Sequence, residues 1–268
     1  MNPCPGITGL CLTFHELPIF GRMNKKIVHF FEEVYRFLII LISISGYVPK
    51  HATILRTVVM SSSLAFSFYL ANDQPLNSNL AIPYFILSTS CYIGFLFLVL
   101  RRDGRRHWFI RMWGGEDEGY LAYEAILGFL FFHNAVSIGY IASSTPGSLF
   151  CFVHEEVLPG IAAILFLGGF TVKIWAAKAV SVDIYYCKDM FLGRKTSDFI
   201  FTGPYRYFTN PMYGVGQLPA YAVAVWAGSI HGLIAAFLNQ CCLFSFYYLL
   251  EKKFITRVYQ DVKPGPVY

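Results

Sequence analysis

The sequence predicts an all-α, polytopic membrane helical bundle, with about six transmembrane helices, an interfacial helix near the N-terminus and a closing helical hairpin. Three observations carry this. Only 14% of the 268 residues are charged, while 56% are hydrophobic and 18% aromatic, against about 25% charged in an ordinary soluble domain. Six apolar stretches approach the length of a membrane crossing. The basic residues collect in alternate connections between them, as the excess of Lys and Arg on the cytoplasmic side requires.

Residues 1–26 mix Pro, Gly and polar side chains and read as an irregular cap. Ile27 to Arg36 sets Glu32, Glu33 and Arg36 among aromatics, which suits a helix lying at the interface. Phe37 to Val48 is apolar but shorter than the roughly 20 residues a crossing needs, so it either re-enters or prolongs the preceding helix. The six spans are Ile54 to Leu70, Leu80 to Leu100, Tyr120 to Ala142, Val157 to Ile174, Met212 to Ala227 and Ile230 to Leu250. Arg56 can snorkel from the end of the first. Only Gly228 and Ser229 separate the last two, as in a tight hairpin.

Charge tests the layout. Arg101 to Arg111 holds five arginines, Lys173 to Arg206 holds six basic residues, and the tail holds Lys252, Lys253, Arg257 and Lys263. Residues 71–79, 143–156 and 228–229 hold neither Lys nor Arg. Six spans with both ends inside satisfy every connection. A seventh, through Phe37 to Val48, would strand Arg22, Lys25 and Lys26 on the wrong side. There is no internal repeat, so residues 1–52 form a cap with its interfacial helix and 53–268 a single membrane domain.

Several partner classes are excluded. A net charge of +5 confined to the ends of apolar runs is no nucleic-acid footprint, and the bilayer itself is the partner that remains. The seven cysteines form no CxxC and read as reduced side chains. The N-terminus lacks a charged-then-apolar signal pattern, and Pro3, Pro5 and Pro18 spoil an amphipathic transit helix. His154-Glu155-Glu156 falls in an outer loop with no second ligand pair at helical spacing, so no metal site is expected.

The chemistry concentrates in Gly203-Pro-Tyr-Arg-Tyr-Phe-Thr-Asn-Pro-Met-Tyr-Gly214. Asn210-Pro211 is a turn that also starts a helix, since proline is pre-organised for the first helical position. A helix N-terminus there offers free backbone donors to a carboxylate or phosphate. Arg206 adds a two-pronged donor. Tyr205, Tyr207, Phe208 and Tyr213 offer faces that attract cations, a sulfonium or methylated ammonium included. Glu124 and His133 are unusual inside a span, but nine residues at about 100° each put them on opposite faces, so each reads as an interhelical contact. His231 and Asn239-Gln240 read the same way. Arg194, Lys195 and Arg206 are candidates for holding a lipid phosphate or anchoring the inner face.

The segment from Gly169 to Tyr259 resembles the C-terminal core shared by phospholipid N-methyltransferases and isoprenylcysteine carboxyl methyltransferases. The residues that carry the likeness are Gly169, Lys173, Trp175-Ala176, Tyr185-Tyr186 to Phe191, Gly203, Tyr205, Arg206, Asn210-Pro211, Tyr213-Gly214 and Glu251. The resemblance implies a methyltransferase-like core at 157–260 that uses S-adenosylmethionine, with the cofactor enclosed by Gly203, Tyr205, Arg206, Asn210, Pro211, Tyr213, Gly214 and Glu251. It implies a lipid acceptor, and Asn before Pro211, rather than the His usual in the prenylcysteine enzymes, points to a phosphatidylethanolamine-type amine. The endoplasmic reticulum is the family's usual home, and a mitochondrial inner membrane fits the charges equally. One departure stands out: Glu251 is followed by Lys252, where the family usually has a second Glu.

Three other readings fit parts of the sequence. A prenylcysteine carboxyl methyltransferase would share the cofactor. Sterol reductases end in a related pattern but need further basic and aromatic elements for NADPH. A catalytically inactive homologue, serving as a subunit beside other membrane proteins, would explain Lys252. No residue announces itself as the general base.

Overall fold

An apolar run can satisfy its own backbone in lipid only as a helix, and the long runs in this chain do so. The computed structural model describes residues 25–72, 78–150, 154–200 and 202–259. The cap expected over residues 1–26 lies almost wholly outside the described residues. In chain order the helices are α1 (Lys25–Ser43), α2 (Ile54–Asn72), α3 (Ser78–Leu100), α4 (Asp103–Met112), α5 (Glu116–Ser144), α6 (Leu158–Ala179), α7 (Val182–Tyr185), α8 (Lys188–Leu192), α9 (Leu218–Trp226), α10 (Ile230–Phe246) and α11 (Lys252–Val258). A π-helical turn, Tyr247–Glu251, joins the last two without a break. No strand occurs among the described residues.

Five helical stretches are long and apolar enough to cross a membrane: Ile54–Asn72, Asn79–Leu100, Glu116–Ser144, Glu155–Ala179 and Ile230–Val258. The expected sixth, Met212 to Ala227, is corrected. Its first half is turn and 3-10 backbone, and only the nine residues of α9 are α-helical. At 1.5 Å per residue α9 spans about half the hydrocarbon core. The segment still passes from one side to the other. Its far end bonds to the outer loop, Gly147 N to Ala227 O at 3.1 Å and Leu149 N to Gly228 O at 2.7 Å. Irregular backbone at membrane depth is tolerated where it is buried in protein or lines a cavity.

The run from Phe37 to Val48 neither crosses nor lies flat. It extends α1 to Ser43 and then turns back. Near its start, Glu33 pairs with Lys178 at the inner end of α6, 3.1 Å apart. Farther along, the Gly46 backbone lies against Gly128 in mid-α5. His51 then meets Glu124 at 2.7 Å, and Arg56 reaches the Leu121 carbonyl. The contacts step back down α5 toward its first turn, so the chain re-enters the side it came from. The arginine-rich connection expected from Arg101 to Arg111 is itself helical, as α4.

Helix α5 is the hub, packed on α2, α3, α4, α9 and α10. The main core gathers Tyr92, Leu96, Tyr123, Leu127, Phe191, Leu243 and Phe246. Small residues let helices approach closely, as bundles in lipid require. A side chain on Gly169 would strike Leu218 and Pro219, and one on Gly232 would strike Ala142 and Ala224. The outer surface is apolar: Ile54, Ile164, Leu167, Trp226 and Phe237 are all exposed, the arrangement of a lipid-facing belt.

Candidate active site

The site grows from one broken segment. Asn210 Oδ1 accepts a hydrogen bond from Tyr213 N at 3.1 Å, and Gly214 N donates to Asn210 O at 3.0 Å, closing a tight turn. Gly216 N then donates to Pro211 O at 2.8 Å. No α-helix starts at Pro211, which corrects that expectation; α9 begins only at Leu218, with Pro219 in its first turn. The Gly214 carbonyl accepts from Gln217 N at 3.0 Å, which leaves the Tyr213 carbonyl without a backbone partner. Gln240 of α10 supplies a partner, its Nε2 donating to Tyr213 O at 2.9 Å and also to Gly214 O at 3.2 Å, while its Oε1 accepts from Tyr221 OH at 2.6 Å.

This turn forms one wall of a cleft lined by Tyr92, Leu96, Leu127, Phe131, Lys173, Tyr185, Tyr186, Cys187, Met212, Tyr213, Gln217 and Leu243. The cleft encloses about 490 Å³ of space between atoms, its open mouth included. Its walls are mostly apolar and aromatic. Burial pushes the Cys187 and Tyr185 side chains up from their ordinary pKa values, so both stay protonated and neutral at physiological pH.

Glu251 stands at the end of the π-helical turn, its carboxylate meeting the Tyr213 hydroxyl. A π turn inserts a residue into the helical register, a device common at functional sites. Glu251 Oε2 is buried with no hydrogen-bond partner, and so is Tyr205 OH. Burial, followed by the nearby Glu251 charge, pushes the Tyr205 phenol above its ordinary range. Tyr205 lies in a 3-10 turn, Gly203–Arg206, where Gly203 adopts φ 64° and sits close under Trp175. Only glycine takes that conformation without strain.

The residues expected to enclose a cofactor divide into three groups. Tyr205, Tyr213 and Glu251 come together, the Tyr213 hydroxyl on the Glu251 carboxylate and the Tyr205 phenol within reach of its charge. Gly203, Asn210, Pro211 and Gly214 shape the backbone around them. Arg206 does not join: it is exposed on the outer side of its turn. Arg194 and Lys195 are also engaged elsewhere, Arg194 gripping Glu116 at 3.0 and 2.5 Å and Lys195 pairing with Asp198 at 2.9 Å. Lys252 points away from Glu251, exposed beside the Tyr248 ring at 5.5 Å.

Sequence reasoning missed Tyr92, Phe131, Cys187 and Gln217 in the cleft. It had counted Lys173 in the basic connection, whereas α6 carries it inside the bundle. Of the polar groups in spans, Glu124 pairs with His51 at 2.7 Å and Arg56 at 3.2 Å, and His133 bonds Tyr84 at 2.7 Å and Ser63 at 3.1 Å. Both are interhelical contacts, as expected. His231 is exposed, and Asn239 Oδ1 is buried without a partner, so of the three polar residues in that helix Gln240 is the one seen bonding across it. His154, Glu155 and Glu156 are exposed, and no trio of His, Cys, Asp or Glu fit for a metal occurs among the described residues.

Residues 159–262 match the model of the phospholipid methyltransferase family. Over that stretch the C-terminal segment is similar to the phospholipid methyltransferase family. It is similar to the phosphatidylethanolamine N-methyltransferase of Kluyveromyces lactis, 30% identical over 100 residues, 37% of this chain and 11% of the relative. The enzyme of the same name from Schizosaccharomyces pombe is 31% identical over 104 residues, 39% of this chain and 11% of the relative. Phosphatidylethanolamine N-methyltransferase B of Dictyostelium discoideum is 22% identical over 184 residues, 65% of this chain and 90% of the relative. The chain thus spans only about a tenth of the length of those two fungal relatives. No solved structure gives a significant match.

The residues present fit S-adenosylmethionine. A buried carboxylate oxygen without a partner suits the cofactor's ammonium, and π-faces suit its sulfonium. Buried polar atoms are normally paired, and Glu251 Oε2 and Tyr205 OH have no partner within the chain, so both are available to a polar ligand.

Proposed function

We propose that this chain is an integral membrane methyltransferase that uses S-adenosylmethionine to methylate the amine of a phosphatidylethanolamine-type lipid. The observation that carries the reading is the meeting of Glu251, from the end of the last span, with the hydroxyl of Tyr213, which lines the aromatic cleft, while Tyr205 lies close enough to feel the Glu251 charge.

Each part has a role that follows from its position. Glu251, with its unpartnered oxygen, would hold the cofactor's ammonium, and Tyr205 would donate to or accept from the same polar end. The phenol rings of Tyr92, Tyr185, Tyr186 and Tyr213 would face the positive centres of cofactor and acceptor. The bound cofactor supplies an electrophilic methyl group on sulfur. The chain's task is to align the acceptor nitrogen and keep water out. An ethanolamine ammonium loses hydration in an apolar cleft, which favours its neutral, nucleophilic form. The lipid would enter sideways from the bilayer, since the cleft sits between spans.

Lys252 does not weigh toward an inactive homologue, because a side chain directed out to the surface leaves the cofactor end of the cleft uncharged by it. The test is methyl transfer from radiolabelled S-adenosylmethionine by purified protein in lipid nanodiscs. Label in the phosphatidylethanolamine fraction is the expected result. Label confined to a prenylcysteine peptide, or cofactor binding with no acceptor labelled, would overturn it.

A further inference from the structure

Lys173 lines the cleft from α6 and is half-buried there, its Nζ 5.0 Å from the centroid of the Phe131 ring. It is the only Lys, Arg or acidic side chain among the cleft-lining residues. Basic residues nearby along the chain are neutralised: Lys178 by Glu33, Lys188 by Asp183, Arg194 by Glu116 and Lys195 by Asp198. None of the ion pairs among the described residues includes Lys173. The Gly216 position leaves its stem room, a Cβ there lying 3.6 Å from Lys173 Cβ. A cation held among aromatic and apolar groups without an anion is costly, and a ligand that brings the anion recovers that cost.

Outside the lining itself, the Glu251 carboxylate meets the hydroxyl of Tyr213, which is a lining residue. Beside Lys173 the lining carries the phenols of Tyr92, Tyr185, Tyr186 and Tyr213, together with Cys187 and the amide of Gln217. A cleft with a lone cation in its wall and cation-attracting rings beyond it complements a zwitterion. We infer that Lys173 holds the phosphate of a zwitterionic phospholipid headgroup, and so sets where the headgroup's amine sits against the rings. The phosphate and amine of an ethanolamine headgroup are two carbons apart, so anchoring one places the other. This inference rests on the proposed reaction for its choice of acceptor. The cofactor's carboxylate is the other anion that could meet Lys173, and the experiment separates the two.

Wild type, Lys173→Gln and Lys173→Arg are compared in detergent, each first checked for an unchanged melting temperature without ligand. Binding of short-chain phosphatidylethanolamine, of sphingosine (a long-chain amine without phosphate) and of S-adenosylmethionine is read by thermal stabilisation. Loss of one charge-assisted contact lowers affinity for phosphatidylethanolamine by roughly 10- to 100-fold in Lys173→Gln, while sphingosine and cofactor binding hold. Lys173→Arg restores the lipid. A fall in cofactor affinity alone assigns the anion to the cofactor and overturns the inference. So does an equal fall for both lipids, or a wild type that phosphatidylethanolamine does not stabilise. If the lipid binds through Lys173 but receives no methyl, the proposed reaction fails and this inference stands. If the lipid is methylated equally well without Lys173, the reverse holds.

Discussion

Gln240 of α10 donates to the carbonyl of Tyr213, 27 residues earlier in the chain, across 2.9 Å. The same amide reaches Gly214 at 3.2 Å and takes the Tyr221 hydroxyl at 2.6 Å. One side chain thus closes the hydrogen bonds that the broken crossing segment opens. Without it, the Tyr213 carbonyl would stand at membrane depth unpaired, whereas Gly214 O would keep its bond from Gln217 N.

Gln240→Leu should therefore cost about 1–3 kcal/mol for the Tyr213 carbonyl left unpaired, and it should loosen the Asn210–Gly214 turn that carries Tyr213. Tyr221→Phe, which strips one contact from the amide oxygen, should cost about 1 kcal/mol. Unfolding midpoints in mixed micelles would measure both. A Gln240→Leu protein as stable as wild type, with cofactor binding intact, would show that the turn holds itself.

Glu251 and Lys252 are neighbours with opposite expected sensitivities. Glu251 faces Tyr213 from within the bundle, whereas Lys252 lies outside beside Tyr248. Glu251→Gln keeps the shape and removes the charge, so S-adenosylmethionine affinity should fall on the order of 10- to 100-fold, the worth of a charge-assisted hydrogen bond. Lys252→Ala should leave it unchanged. Calorimetric titration distinguishes them, and equal losses in both variants would contradict the outward placement of Lys252.

What could be read from the sequence followed what apolar composition encodes. Five crossings are visible because a long apolar run has one way to satisfy its backbone. Met212 to Ala227 has the same composition, yet hydropathy does not register that the turn at Asn210–Gly214 and the close approach of Gly216 to Pro211 leave half of it unwound. Its compensating partner, Gln240, is remote in sequence and reads as one more polar residue in a span. Tyr205, Tyr213 and Glu251 were legible through their shared pattern. Lys173 belongs to the same pattern, but its place in the cleft was not legible, because a basic residue at the end of an apolar run looks the same whether it faces the cytoplasm or a cleft. Arg194, Lys195 and Arg206 carried the stronger signal and proved to be paired or exposed.

Glu124 is buried in α5 between His51 and Arg56, with Oε1 unpartnered. Removing one member of a buried ion pair costs about 3–5 kcal/mol, because the other charge is left behind. Glu124→Leu should lower stability by that order, and Arg56→Met should lower it too. Neither residue lines the cleft, so per-molecule methyl transfer in the folded fraction should survive. Activity lost without any fall in stability would place Glu124 in the chemistry instead.

Gly46 and Gly128 face each other where the re-entrant turn meets α5. Gly46 sits at φ 108°, a conformation L side chains rarely adopt, and a Cβ on it would collide with the Gly128 carbonyl. A Cβ on Gly128 would likewise run into the Gly46 carbonyl. Both obstacles are backbone, so neither can swing aside. Gly46→Ala carries backbone strain of about 1–3 kcal/mol in addition to the clash, and Gly128→Ala carries the clash alone, partly offset by alanine's better helix propensity of about 1 kcal/mol. Gly46→Ala should therefore be the more damaging. The same turn holds Ser43, whose carbonyl accepts from Tyr186 OH at 2.7 Å, and Tyr186 lines the cleft. Displacing it should also weaken cofactor binding, which thermal unfolding with and without S-adenosylmethionine would detect. Two variants of equal, small effect would mean the glycines do not touch.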